Sequence, residues 1–267
     1  MSFFILIAQP RQVAEYQAVL DYASDMGYTL PSVEQRQREN LKMQRYKDVG
    51  FLQVLDQLFN FCTDGDSDFA LINWITPGIR NCTKVGGVTF SSFQGFQGNG
   101  TNAGLNTNFA PATHGVHFQQ NDACFAAYCG NNINEAGALV GAFDAATTNG
   151  VFLRPRNPDG QITYRVNHGT ATEVASDLDA IGMYLVNRTA ASGSGATNLY
   201  KNGYLAGSGT VASTGMTSAS IHLLCNNNAG TLAGFSNRNI KMYAIGSSAV
   251  SASYDLFDIE NKFLANV

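Results

Sequence analysis

The sequence predicts a mainly β fold: a two-sheet sandwich preceded by a small α-helical segment. Three observations carry this. Glycine is scarce up to residue 62, with 2, and abundant after it, with 25. Charge runs the other way, with 13 charged residues in the first 62 positions and 23 in the remaining 205. Glycine-poor, charge-rich sequence favours helix, and the reverse favours strands and turns. The third observation is the phrase Leu199-Tyr200-Lys201-Asn202-Gly203-Tyr204-Leu205-Ala206-Gly207-Ser208. Asn-Gly between apolar residues is a strong hairpin signal, because a type I′ turn needs φ > 0 at both central positions.

The elements follow in order. Phe3-Phe4-Ile5-Leu6-Ile7-Ala8 is too short to span a membrane and lacks the basic flank of a signal peptide. It reads either as an N-terminal strand or core plug, or as an arm that docks into a partner. Pro10 can begin a helix, where its missing N–H is not needed. Val13, Tyr16, Leu20 and Ala23 then mark one helical face, and Gly27 ends it. Ser32 and Gln35 form a capping box ahead of a polar helix that reaches about Lys47. That helix is poor in apolar residues, so it is either a solvated spacer or covered by another subunit. Gly50 breaks it, and Phe51, Val54, Leu55 and Leu58 form the stripe of a third helix.

From Phe69 the pattern is β. Strands are predicted near 69–75, 84–93, 103–108, 114–119, 122–129, 138–143, 150–155, 161–167, 180–188, 197–201, 204–207, 217–225 and 239–246. Gly86-Gly87, Asn99-Gly100, Asn149-Gly150, Asp159-Gly160 and Asn202-Gly203 mark turns. Many short strands with regular turns argue a sandwich. Residues from Ser251 to Leu264 form a short tail helix with Leu256, Ile259 and Phe263 on one face. The domain division is 1–62 for the helical anchoring segment and 63–267 for the sandwich with its terminal helix.

Composition narrows the function classes. Net charge is −4 with no basic run, which argues against a nucleic-acid groove. Only 13% of residues are charged, which suits either a surface packed against neighbours or a polar, uncharged β surface. Cys62, Cys82, Cys124, Cys129 and Cys225 are odd in number and irregular in spacing, so they read as free thiols. No CxxC pair points to zinc. Asn-x-Thr triplets at Asn81, Asn99 and Asn187 would be glycosylated only on a eukaryotic secretory route.

Four segments resemble the concanavalin A-like, laminin-G-type jelly roll. They are Gly95-Phe96-Gln97-Gly98-Asn99-Gly100-Thr101 leading to Leu105-Asn106-Thr107-Asn108-Phe109; Gly182-Met183-Tyr184-Leu185-Val186-Asn187-Arg188; the Tyr200-Lys201-Asn202-Gly203 hairpin; and Phe235 to Gly246 with the helix after it. This resemblance spans roughly residues 70–267. The whole chain also resembles virion proteins of bacteriophages of Bacteroidetes hosts, in which a helical segment ends in a phrase like Phe61-Cys62-Thr63-Asp64-Gly65-Asp66-Ser67-Asp68-Phe69. That resemblance implies a structural or attachment role in the virion, with the jelly roll facing outward.

Several constellations bear residue types that could carry chemistry. Asp64, Asp66 and Asp68, at alternate positions, resemble the opening of a calcium loop. The glycine is misplaced for it and no closing Glu follows, so the competing reading is a turn whose Asp side chains cap backbone N–H groups. Glycoside hydrolysis needs two carboxylates flanking the scissile bond. Glu135, Glu173 and Glu260 stand alone, and Asp177 and Asp179 sit at a loop–strand edge. His114, His117, His168 and His222 form no metal pair or triad pattern. Sugar recognition needs planar amides for hydroxyls and an aromatic face for the ring. Asn106, Asn108, Asn131, Asn132, His168 and Asn226 to Asn228 are candidates, with Tyr128 and Tyr164 nearby; Asn227 belongs to the last run. Asn-rich loops also supply turn geometry by themselves.

The expectation is therefore a non-enzymatic virion spike, fibre or decoration without a cofactor. It would assemble in the host bacterial cytoplasm as a homo-oligomer and dock on other virion proteins through residues 1–62. Its jelly roll would touch host glycan, with no nucleic acid and no membrane span. The alternatives are a cellular carbohydrate-binding module or lectin, and a glucanase-type hydrolase.

Overall fold

The computed structural model describes residues 12–145, 147–169, 172–174, 177–249 and 252–266; for 172–174 only the backbone is described. Phe3 to Ala8, Pro10 and Ser251 lie outside the described residues. Four α-helices are described: α1 (Ala14–Asp25), α2 (Val33–Asp48), the single turn α3 (Pro111–His114) and α4 (Ser253–Leu264). The described strands are β1 (Leu55–Asn60), β2 (Thr83–Val85), β3 (Thr89–Ser91), β4 (Gly95–Gln97), β5 (Gly104–Asn106), β6 (Ala123–Cys129), β7 (Val140–Phe143), β8 (Gly150–Arg154) and β9 (Ile162–Val166). They continue with β10 (Thr172–Val174), β11 (Gly182–Arg188), β12 (Thr197–Lys201), β13 (Tyr204–Gly209), β14 (His222–Leu223), β15 (Asn226–Asn228), β16 (Thr231–Ala233) and β17 (Asn239–Gly246).

Two sheets form the sandwich. Sheet A runs β13-β12-β11-β6-β17-β4-β3, with β1 also paired to β17. Sheet B runs β10-β9-β8-β7-β14-β5-β2, with the β15–β16 hairpin added on β7. Side chains alternate between faces along each strand. In β6, Ala123, Phe125, Ala127 and Cys129 enter the core between the sheets, joined by Tyr184, Val186, Tyr243 and Ile245 of sheet A. From sheet B come Val140, Val151, Leu153, Ile162 and Tyr164. The opposite parity of sheet A (Cys124, Ala126, Met183, Leu185, Met242 and Ala244) joins a second core with the helices. There it meets Tyr16, Val19, Met43, Tyr46, Leu256 and Ile259. The order is helices, sheet A, sheet B.

The helix signals resolve as follows. Ser32 Oγ accepts from Gln35 N at 3.3 Å, which is half of the capping box. The Gln35 amide turns inward instead, to Glu39 at 3.0 Å and the Cys62 carbonyl at 3.3 Å. The polarity of α2 is neither a spacer's nor a subunit contact: Gln35, Glu39, Asn40 and Lys42 are buried within the same chain. Tyr16 Oη donates to Glu39 at 2.5 Å, Asn60 Nδ2 donates to Glu39 at 3.1 Å, and Lys42 Nζ donates to Asn60 at 3.1 Å. Lys42 also pairs with Glu260 of α4 at 2.8 Å.

Five expected elements differ. The strand expected at 84–93 is two, β2 in sheet B and β3 in sheet A, parted by a turn at Gly86-Gly87 where Gly86 takes φ 57°. The third helix is a short 3₁₀ turn at Leu52–Val54 followed by β1, which lies in sheet A against β17. Its apolar run fits both periods, and pairing with β17 decides it. The strand expected at 69–75 is a 3₁₀ turn at Phe69–Leu71. Asp66 Oδ1 accepts from Asp68 N at 3.1 Å and Phe69 N at 2.8 Å and so starts that turn. The strand expected at 114–119 is the end of α3 and a loop, gathered by the Asp56 carboxylate. That group accepts from Val116 N, His117 N and Phe118 N at 3.1, 3.0 and 2.8 Å. The strand expected over 217–225 pairs only at His222–Leu223, since Leu224 turns to φ 63°. The Asn202-Gly203 turn is as expected, with φ of 51° and 81°.

Candidate functional site

The helices cover the central strands of sheet A, so the outer face of sheet B is the sheet surface left for a ligand. Its residues are set by strand parity. Val151 and Leu153 of β8 point inward, so Phe152 and Arg154 point outward. In β9, Ile162, Tyr164 and Val166 point inward, and Thr163 and Arg165 outward. Antiparallel register aligns one row across six strands: Thr83, Asn106, His222, Gly141, Phe152 and Arg165. At the usual strand spacing it is about 24 Å long.

The row is polar at its ends and aromatic toward β8. The Arg165 guanidinium lies 4.5 Å from the Phe143 ring centroid and 5.7 Å from Phe152. Arg154 lies 5.1 Å from the Phe152 centroid. The Phe143 and Phe152 rings are tilted by 35° with centroids 5.6 Å apart, so two rings support two cations. Burial, then the neighbouring Arg154, lowers the Arg165 pKa from its usual value. Arg165 Nη1 donates to the Gly169 carbonyl at 2.6 Å. Burial also pushes His222 down, so its ring is neutral. A carbonyl only accepts, so the 3.1 Å contact of Nδ1 with Ser220 O places the proton on Nδ1 and leaves Nε2 an acceptor.

At the β2 end the row opens on a cavity of about 240 Å³, lined by Tyr28, Asp68, Leu71, Asn81, Cys82, Thr83 and Lys84. Lys84 Nζ pairs there with Asp68 at 3.2 Å and donates to Ser67 at 2.6 Å. Phe143 and Phe152 are themselves buried, so the face presents the polar groups of Thr83, Asn106, Arg154 and Arg165 to solvent, with the rings packed behind the two guanidinium groups.

The sequence candidates distribute unevenly. Asn106 lies in the row. Asn226 covers its middle: a Cβ at Gly141 would meet Asn226 Oδ1 at 2.1 Å. Asn226 Nδ2 donates to Asn228 at 3.2 Å. Asn227 is spent on structure, donating to Ser220 O at 2.8 Å and accepting from Gly230 N at 2.7 Å. Asn108 holds a turn through Asn81 O at 2.7 Å. Asn131 accepts from Asn239 N at 2.9 Å, and Asn132 from Arg156 at 3.0 Å and Ala180 N at 2.9 Å. Tyr128 is half-buried on the helix side of sheet A. Tyr164 and His168 require correction as surface ligands, since both are fully buried. Tyr164 has the inward parity of Ile162 and Val166. The sequence reading missed Thr83, Phe143, Phe152, Arg154 and Arg165, and it placed His222 in no site. Alternation in 150–154 and 162–166 was the available signal.

Asp64, Asp66 and Asp68 act in the structure as side-chain caps and as one half of an ion pair. Their carboxylates serve separate partners: Ser32 N at 3.1 Å, Thr29 N at 2.7 Å and Lys84 at 3.2 Å. Among the described residues no group of three ligand side chains could hold a metal ion, and no helix is long and apolar enough to cross a membrane. Of the carboxylates, Glu135 is held by Ser236 at 2.5 Å and Arg238 at 3.4 Å, and Asp177 by Lys201 at 2.5 Å. The side chain of Glu173 lies outside the described residues.

No protein-family model and no curated protein matches the chain. Solved structures do. A Trypanosoma rangeli sialidase mutant displaying trans-sialidase activity aligns over 87% of this chain and 40% of its own, with TM-score 0.57 and 11% identity. Trypanosoma rangeli sialidase in complex with sialic acid aligns over 85% and 39%, with TM-score 0.53 and 12% identity. Domain 4 of AbnA, a GH43 extracellular arabinanase from Geobacillus stearothermophilus, in complex with arabinotriose, aligns over 76% of this chain and 98% of its own, with TM-score 0.50 and 15% identity. The chain therefore spans about 40% of the sialidases' length. At these identities the likeness establishes the fold. It overturns the expectation of a non-enzyme: the fold is one found in sialidases and in an arabinanase, which puts glycoside hydrolysis among the activities to measure. Virion placement and homo-oligomer rest on the sequence resemblance alone, and what these comparisons show is a β-sandwich of the kind built into glycan-processing proteins.

Proposed function

We propose that this chain recognises glycan, and that the outer face of sheet B is the binding surface. The observation that carries the reading is the row from Thr83 to Arg165 on the sheet that the helices leave uncovered. The likeness to nearly all of an arabinanase domain crystallised with arabinotriose supports it. Asn106 and Arg165 would meet hydroxyl or carboxylate oxygens, and Phe152 with Phe143 would supply the apolar surface beneath.

The test is calorimetric titration of the full chain with a panel that includes arabino-oligosaccharides and sialylated oligosaccharides. Reducing-sugar release is followed in the same samples. At least one panel member is expected to bind, and Arg165→Ala and Asn106→Ala should each weaken it about tenfold, the loss of one or two polar contacts. Release of sugar would assign hydrolysis as well as recognition. Absence of binding across the panel, or affinity unchanged in both variants, would refute the assignment.

A further inference from the structure

A second site lies on the far side of the molecule, in the groove between α2 and α4. Arg38, Leu41, Lys42 and Arg45 stand at i, i+3, i+4 and i+7 on α2, so they share one face. Ile259, Lys262 and Phe263 of α4 line the opposing wall. The cavity between them is about 360 Å³, within the range of small-molecule sites.

The charges around this groove are unequal in what they have left to offer. Lys42 is buried and spent: its ammonium pairs with Glu260 at 2.8 Å and sits 4.3 Å over the Phe263 ring. Lys262 pairs with Asp258 at 2.5 Å, both side chains exposed, so that pair is weak and screened. Arg38 and Arg45 enter no ion pair among the described residues. Among the described residues no carboxylate lines the cavity, although the chain as a whole carries −4. The floor is apolar, from Ile259 and Phe263, and Leu41 stands 43% exposed above it. A cationic rim around an apolar trough complements a molecule that is apolar along its body and negative at its head.

We propose that the α2–α4 groove binds a small anionic amphiphile, its apolar body on Leu41, Ile259 and Phe263 and its carboxylate or sulfonate held by Arg38 and Arg45. Arginine suits this role because its planar fork matches two oxygens at once. The groove's volume of about 360 Å³ matches a small molecule.

The experiment uses the full chain and three probes below their micelle concentrations: 1-anilinonaphthalene-8-sulfonate, dodecanoate and dodecyltrimethylammonium. The sulfonate should brighten on binding, and dodecanoate should displace it. The cationic probe of equal chain length should not. Arg38→Gln with Arg45→Gln should weaken dodecanoate at least tenfold, and Leu41→Asp should do the same through the floor. Lys47→Gln, which removes an exposed cation paired with Glu15 outside the groove, should leave affinity unchanged. Thermal unfolding of each variant confirms that it is folded. Equal displacement by the cationic and anionic chains, or unchanged affinity in the double arginine variant, would overturn the proposal.

Discussion

Replacing Lys42 by Met tests how the helices are fastened to the sandwich. The Lys42 ammonium touches three elements at once: Glu260 of α4 at 2.8 Å, Asn60 of β1 at 3.1 Å, and its own helix α2 through the stem. Both side chains of the ion pair are 1% exposed. Removing the cation strands a buried carboxylate, and breaking such a pair costs about 3–5 kcal/mol. For a chain of this size that lowers Tm by about 6–20 °C. Burial already pushes the Glu260 pKa up, and Lys42 opposes it. In the variant Glu260 would therefore take up a proton more readily, and the penalty should shrink as pH falls. A double variant, Lys42→Met with Glu260→Met, removes both charges and should recover most of the loss. Asn60 Oδ1, left without its donor, accounts for a remainder of about 1–3 kcal/mol. Guanidinium unfolding of the four chains closes the double-mutant cycle. A single variant within about 1 kcal/mol of the parent, or a double variant as damaged as the sum of the singles, would refute the reasoning.

Two further outcomes follow from burial. Burial lifts Glu39 from 4.5 to about 7 against the hydrogen bonds from Tyr16 and Gln35; the folded chain then holds this proton more tightly than the unfolded one, so stability falls as pH rises from about 4.5 to 7, by about 3 kcal/mol in all. Glu39→Gln abolishes that contribution, so its stability relative to the parent should rise between about pH 4.5 and pH 7; a pH-independent difference in denaturation midpoints refutes this. All five cysteines are buried, with burial raising Cys62 and Cys129 to about 11 and Cys225 to about 12 and also pushing up Cys82 and Cys124. Ellman's reagent should label none in the native chain and all five in guanidinium, and fast native labelling of any would contradict the packing.

The hairpin β12–β13 was legible from the Asn202-Gly203 turn, and β17 from its length and its Asn239 and Gly246 bounds. Residues 197–201 and 239–246 were bounded as found. Residues 51–60 and 69–75 were not, since short apolar runs satisfy both periods and tertiary pairing chooses. The polarity of α2 was visible, but not its cause. Its partners Asn60 and Glu260 lie 18 and 218 positions from Lys42, beyond any local pattern. At the candidate site, choosing residues by type favoured asparagine and tyrosine and so selected Tyr164, which parity turns inward. Parity would instead have selected Phe152, Arg154 and Arg165.

The two sheets differ in sequence as they differ in exposure. All seven residues of β11 and six of seven in β6 are buried, because helices lie on one face and sheet B on the other. A strand covered on both faces reads as a near-continuous apolar run. In β8 and β9 the half-buried Arg154 and Arg165 interrupt the run, while the outward Phe152 and Thr163 are buried beside them. Substitutions at either parity of sheet A therefore act on stability. Polar substitutions at the outward parity of sheet B act first on whatever that face meets. The helical layer, by closing one sheet, determines which sheet is left to bind.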